Sequence, residues 1–135
     1  INKTKLSAFK INNKIDGGDI CMKSSISLFG KAENIYKRIE KKALEMIMKI
    51  SKKKKISFYK QKGRSSFFYR RKPYQSNLSY VINKRFDKIY DFVRMLDANN
   101  YPKAYLVLGD KKMELSDISL QNKSVKGSFL LKKKK

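Results

Sequence analysis

The residues that could do chemistry in this chain are few. Asp16-Gly17-Gly18-Asp19 places two carboxylates around two glycines and reads as a turn. There is no histidine, which excludes a Ser-His-Asp triad, a Cys-His pair and any histidine metal ligand. The single cysteine, Cys21, excludes an internal disulfide and a CxxC zinc site. With no histidine to activate it, Cys21 reads as a strand residue rather than a nucleophile. Chemistry done by these residues alone must run on Asp, Glu, Lys, Tyr or Ser, and no metal site is expected.

A second group is basic. Ten cationic residues fall between Lys52 and Lys72 with no acidic one: Lys52, Lys53, Lys54, Lys55, Lys60, Lys62, Arg64, Arg70, Arg71 and Lys72. Phe58, Tyr59, Phe67, Phe68 and Tyr69 are interleaved with them. Cations beside aromatic faces can hold a single nucleic-acid strand or a nucleotide. The same composition also describes a solvated connector, and both readings stand at this point.

The whole chain carries 34 Lys+Arg against 11 Asp+Glu, a net charge of +23, which points to an anionic partner. Only 6 of those cations are Arg, the residue suited to bidentate phosphate contacts. Lysine filling exposed positions by composition alone therefore competes with a selected anion-binding face. At 135 residues and 41% hydrophobic usage, the chain has the makings of one small folded domain or a piece of a larger one. No apolar run approaches the ~20 residues of a membrane span, so no membrane partner is expected. With no secretion signal and one free cysteine, the expected setting is cytoplasmic. Ile1 opens directly into a patterned segment without Met, which favours reading the sequence as a fragment.

Hydrophobic spacing places the elements. Leu6 and Ala8, with Ile11 as a further candidate, mark a first strand. Ile20, Met22, Ser24, Ile26 and Leu28 alternate as a second. Ala32, Ile35, Ile39, Ala43, Met46, Ile47 and Ile50 recur at steps of three and four, an amphipathic helix of about five turns. Its start lacks the usual Ser, Thr or Asp cap. Phe86, Ile89, Tyr90, Val93 and Leu96 predict a second helix, with Asn83 as its cap and Pro102 beyond its end. Ala104–Leu108 and Lys112–Leu115 read as strands joined by Gly109-Asp110. Ile118 to Leu131 adds one or two short strands, and the Lys132–Lys135 run reads as a disordered tail. The expected division is residues 1–51, a basic connector at 52–82, and a lobe at 83–135. Two strands and one helix cannot close a core in about 50 residues, so the first block needs a missing N-terminal half or a partner chain.

The order of these signals resembles a known family. Thr4-Lys5-Leu6-Ser7-Ala8, Lys14-Ile15-Asp16-Gly17-Gly18-Asp19-Ile20 and Leu28-Phe29-Gly30-Lys31-Ala32-Glu33-Asn34-Ile35-Tyr36 are similar to the second half of the formyltransferase domain that uses 10-formyltetrahydrofolate. Tyr69-Arg70-Arg71-Lys72-Pro73 looks like an element of the sugar-directed members. Asp91 to Asp97 and Tyr101-Pro102-Lys103-Ala104 are similar to the helix and turn that follow. Lys31 departs from the family's small capping residue, and Tyr74 and Gln75 stand where acidic residues are common.

The resemblance implies an α/β fold: the second half of a Rossmann-like formyltransferase domain followed by a small α+β C-terminal lobe. It implies formyl transfer from 10-formyltetrahydrofolate to a primary amine. Asp16 matches the family's catalytic Asp, and its Asn-x-His partners would lie upstream, so these residues alone are expected to be inactive. A carboxylate beside an imidazole raises its basicity and fixes its orientation. Asp16, Gly17 and Gly18 would approach the folate. Arg70, Arg71 and Lys72 would hold a diphosphate by charge-assisted hydrogen bonds. Asp19 caps or solvates the turn. Arg94 pairs with a carboxylate or carbonyl between the two lobes. The short second lobe favours an amino sugar on a nucleotide carrier, with methionyl-tRNA left open. The competing readings are a small basic module that binds nucleic acid or another polyanion, and a non-catalytic partner subunit.

Overall fold

The computed structural model describes residues 2–63 and 66–134, so Ile1, Arg64 of the basic run, Ser65 and Lys135 of the terminal run lie outside the described residues. The chain forms two compact units: Ile1–Phe29 with Ile35–Phe68, and Gly30–Asn34 with Tyr69–Lys135.

The first unit pairs β1 (Lys3–Phe9) antiparallel with β2 (Ile20–Ser27), with Leu6 opposite Ser24 and an irregularity at Ala8/Phe9. Ile11 lies beyond β1, which ends at Phe9, and is exposed. Ile20 and Ile26 are the buried residues of β2. Helix α1 (Ala32–Ser51) follows. Arg38 ties it to β2, donating to the carbonyls of Ser27, at 3.1 Å, and Phe29. The predicted stripe is buried at Ala32, Ile35 and Met46, but Ile47 is exposed. Tyr36, Leu44 and Met48 are exposed as well, so α1 carries apolar surface on more than one side. The missing N-cap is replaced from inside the helix: the Asn34 side chain accepts from the Lys31 N–H at 3.2 Å. After α1, Tyr59 exchanges two backbone hydrogen bonds with Ile20, at 2.8 and 3.0 Å. Part of the basic connector is therefore a short β-bridge rather than free chain.

Gly18 is buried, and a Cβ there would sit 1.6 Å from the Lys10 carbonyl oxygen. Backbone cannot give way as a flexible side chain does, so Gly18→Ala forces the turn open. A loss of roughly 1–3 kcal/mol is expected from overpacking, read as a lower melting temperature.

The second unit begins with two 3-10 turns, Pro73–Ser76 and Leu78–Tyr80, where the sequence shows no period. Helix α2 (Phe86–Arg94) follows; Arg85 stands at its N-cap, not Asn83, and no side chain caps it. Strands β3 (Ala104–Leu108), β4 (Lys111–Gln121) and β5 (Ser124–Lys133) form an antiparallel sheet in that order. Gly109 closes the first hairpin at φ +59°, a conformation glycine adopts without a Cβ penalty. β4 runs far past Leu115, absorbing Ile118 and Leu120 across an irregularity between Ser116 and Ser119. Lys132 and Lys133 belong to β5, paired with Lys112 and Lys111, so the terminal lysines are not simply a tail. Leu78, Ile89, Val93, Leu96 and Ala104 form the core, with Leu106, Leu115, Ile118 and Val125 against it. Leu96 is buried although it lies past the end of α2.

Candidate functional site

The Asp16–Asp19 turn lies in the first unit. Asp16 adopts φ +51°, a left-handed conformation that Asp and Asn tolerate better than most residues. Its side chain is exposed. The turn's carbonyls are held by side-chain amides. Asn12 donates to Gly17 O at 3.3 Å, and Gln61 donates to Asp16 O at 2.6 Å and Gly18 O at 2.8 Å. The Asp19 carbonyl accepts from the Lys10 N–H at 2.9 Å. A cavity of about 590 Å³ opens here, lined by Asn12, Asn13, Lys14, Gly17, Asp19, Lys60 and Gln61. Gly17 lines it and Gly18 is buried, so of the two glycines only Gly17 offers open backbone. Cys21 is half-buried, with its thiol 3.4 Å from the Ala8 carbonyl.

The second unit brings Arg70, Arg71 and Lys72 together around a cavity of about 640 Å³ with Pro73, Ser76, Tyr101 and Pro102. Arg71 is fixed by its surroundings: its guanidinium lies 5.1 Å from the Phe92 ring centroid and donates to Gln75 O at 2.5 Å. A second cavity of about 500 Å³ shares Pro73, Ser76 and Pro102 and adds Lys103, Lys112, Lys132, Lys133 and Lys134. Lys112 sits 4.4 Å from the Tyr105 ring centroid. Glu114 binds Lys132 at 2.6 Å and Lys112 at 3.2 Å. The Lys132 hydrogen bond, opposed by burial and helped by Lys112, holds the Glu114 carboxyl below its usual range.

Sequence reasoning missed an acidic centre in this unit. Asp97 is 2% exposed and binds Lys103 Nζ at 2.5 Å and the Asp117 N–H at 2.8 Å, with Lys31 Nζ at 3.6 Å. Lys31 also binds Asp117 at 2.5 Å. Lys31, which departs from the family's capping pattern, therefore has a structural task. Burial opposes the Asp97 charge, but Lys103, the Asp117 N–H and Lys31 outweigh it, and the carboxyl is held below its usual range. Arg94 binds Asp91 at 2.7 Å and the Gly30 carbonyl at 2.7 Å, a carboxylate and a carbonyl as expected, both in its own unit. Among the described residues no cluster of His, Cys, Asp and Glu fit to hold a metal ion occurs, and no helix is long and apolar enough to cross a membrane.

Residues 73–132 match the family model of the methionyl-tRNA formyltransferase C-terminal domain. Residues 73–132 therefore carry the C-terminal domain of the formyltransferase family, and the chain as a whole is similar to part of such an enzyme. Among solved structures it is similar to the methionyl-tRNA formyltransferase from Clostridium thermocellum, at 36% identity and a TM-score of 0.83. The likeness covers 98% of this chain and 58% of that one, so the chain spans little more than half of that structure. No curated protein matches it.

Proposed function

We propose that these residues are the C-terminal part of an enzyme that moves a formyl group from 10-formyltetrahydrofolate to a primary amine on a phosphate-bearing acceptor. The observation that carries this reading is the likeness to a methionyl-tRNA formyltransferase, which runs through both units at 36% identity. In this reading β1, β2 and α1 complete a Rossmann-like domain whose other strands come from polypeptide beyond these residues. Exposed Tyr36, Leu44, Ile47 and Met48 on α1 are apolar surface for that polypeptide to cover. The setting that accompanies this reading is cytoplasmic.

The residues around the Asp16 turn fit the donor. Asn12, Asn13 and Gln61 offer amide donors and acceptors for a fused heteroaromatic ring, and Lys14 and Lys60 offer cations for an anionic tail. When bound, 10-formyltetrahydrofolate supplies the formyl group. Asp16 orients the imidazole contributed by the other half and raises its basicity, so that a proton can leave the attacking amine. Residues 1–135 alone lack that imidazole and are inactive on this reading.

For the acceptor, the Arg70, Arg71 and Lys72 cavity and a short second unit with an open three-stranded sheet support an amino sugar on a nucleotide carrier. Methionyl-tRNA is the second reading, favoured by the identity of the matched relatives. Assaying the complete polypeptide with both acceptors decides between them, with formylated amine as the readout. No formylation of either would overturn the proposal. With the sugar nucleotide, replacing Arg70 and Lys72 together by Ala is expected to raise KM at least about tenfold through lost charge-assisted hydrogen bonds. The same change should leave kcat within about twofold, since a uniform binding contact is removed.

A further inference from the structure

We propose that Gln61 is a positioning residue for Asp16, an inference that rests on the formyltransferase reading above. Three consecutive carbonyls of the turn, those of Asp16, Gly17 and Gly18, each accept a hydrogen bond from a side-chain amide. Asn12 is local and takes one of them, while its own amide oxygen accepts from the Lys14 N–H at 2.9 Å. Gln61 takes the other two across 45 and 43 residues of sequence. An amide nitrogen has two hydrogens, and the two carbonyls at 2.6 and 2.8 Å use both. The bridge between Tyr59 and Ile20 delivers Gln61 to this place, because it pins the connector beside the strand that leaves the turn.

The arrangement acts on the residue that would do the chemistry. Asp16 is held at φ +51°, and such a conformation persists only where its surroundings determine it. Gln61 grips the peptide that directly follows the Asp16 side chain and the one two residues on. Releasing both lets the peptide planes rotate and carries the carboxylate away from the place where it orients an imidazole. Gln61 itself is exposed and carries no charge, so its effect passes through the turn. Glutamate cannot replace it: an ionised carboxylate only accepts, and it would face two carbonyl oxygens.

The test is a double-mutant cycle on the complete polypeptide, with kcat and KM measured for formyl transfer. Gln61→Ala is expected to lower kcat about tenfold, the scale of a small misplacement in an active site, with KM for the acceptor within about twofold. Gln61→Glu, which keeps the side-chain size and removes the donors, is expected to lose at least as much. In an Asp16→Asn background, Gln61→Ala is expected to cost nothing further, since its effect passes through the missing carboxylate. Wild-type kcat in Gln61→Ala overturns the proposal. So does a tenfold loss that persists in the Asp16→Asn background, which would assign Gln61 a role elsewhere. Wild-type kcat in Asp16→Asn alone overturns the formyltransferase role of Asp16 and the proposal with it, and that result is read without any change at Gln61.

Discussion

Asp16→Asn is expected to lower kcat for formyl transfer about a thousandfold, within the range for losing a positioned proton-transfer partner. The change suits the site unusually well as a test. Asn tolerates the left-handed backbone nearly as well as Asp, so φ +51° carries little added penalty. The hydrogen bonds that Gln61 donates go to main-chain carbonyls and do not depend on the Asp16 side chain. The melting temperature should therefore stay within a few degrees of the parent while kcat falls. An unchanged kcat would leave Asp16 an ordinary turn residue. A loss of stability equal to the loss of activity would assign the carboxylate a structural task instead.

What could be read from the sequence follows from how local each signal is. The helical stripe from Ala32 to Ile50 and the alternation from Ile20 to Ile26 are near-neighbour patterns, and both elements form where those patterns lie. The Gly109 turn is likewise a local demand on φ. The full length of β4 was not legible, because the irregularity between Ser116 and Ser119 breaks the period of two that marks a strand. β5 hides its lysines for a similar reason: a Lys run reads as solvated, yet Lys132 and Lys133 have ladder partners. Ile47 shows the limit of periodicity, which gives the angular position of a side chain but not whether anything covers it.

The candidate site was partly legible on the same grounds. The Asp16-Gly17-Gly18-Asp19 turn and the Arg70-Arg71-Lys72 run are contiguous, and each is found as a local feature with a cavity beside it. Gln61 was not, since a lone glutamine between two lysines carries no pattern and gains its meaning only from a contact across 45 residues. The glycine at position 18 had a simple packing reason that sequence alone could not show: the Lys10 carbonyl occupies the place of its Cβ.

Asp97 was hidden in the same way, and its replacement should be the most damaging to the second unit. Asp97→Ala is expected to cost about 3 kcal/mol, the lower end of the range for breaking a buried ion pair. The lower end applies because Lys31 and Lys103 are 35% and 26% exposed and can turn to water once released. The Asp117 N–H cannot, as it is fixed at the irregularity of β4, where Asp117 itself stands at φ +50°. Asp97→Asn keeps an acceptor for that N–H and should cost less, which separates the charge from the hydrogen bond. The pH dependence has a definite sign. Because the folded carboxyl is held below its ordinary value of 3.8, the native state binds the proton less readily than the unfolded chain does. Its stabilisation is complete above that value and fades as pH falls through the lower folded one. Acid melts of the wild type and Asp97→Asn should therefore converge below about pH 4. Curves that stay parallel well below that pH would show that the difference between the two proteins does not come from the Asp97 charge.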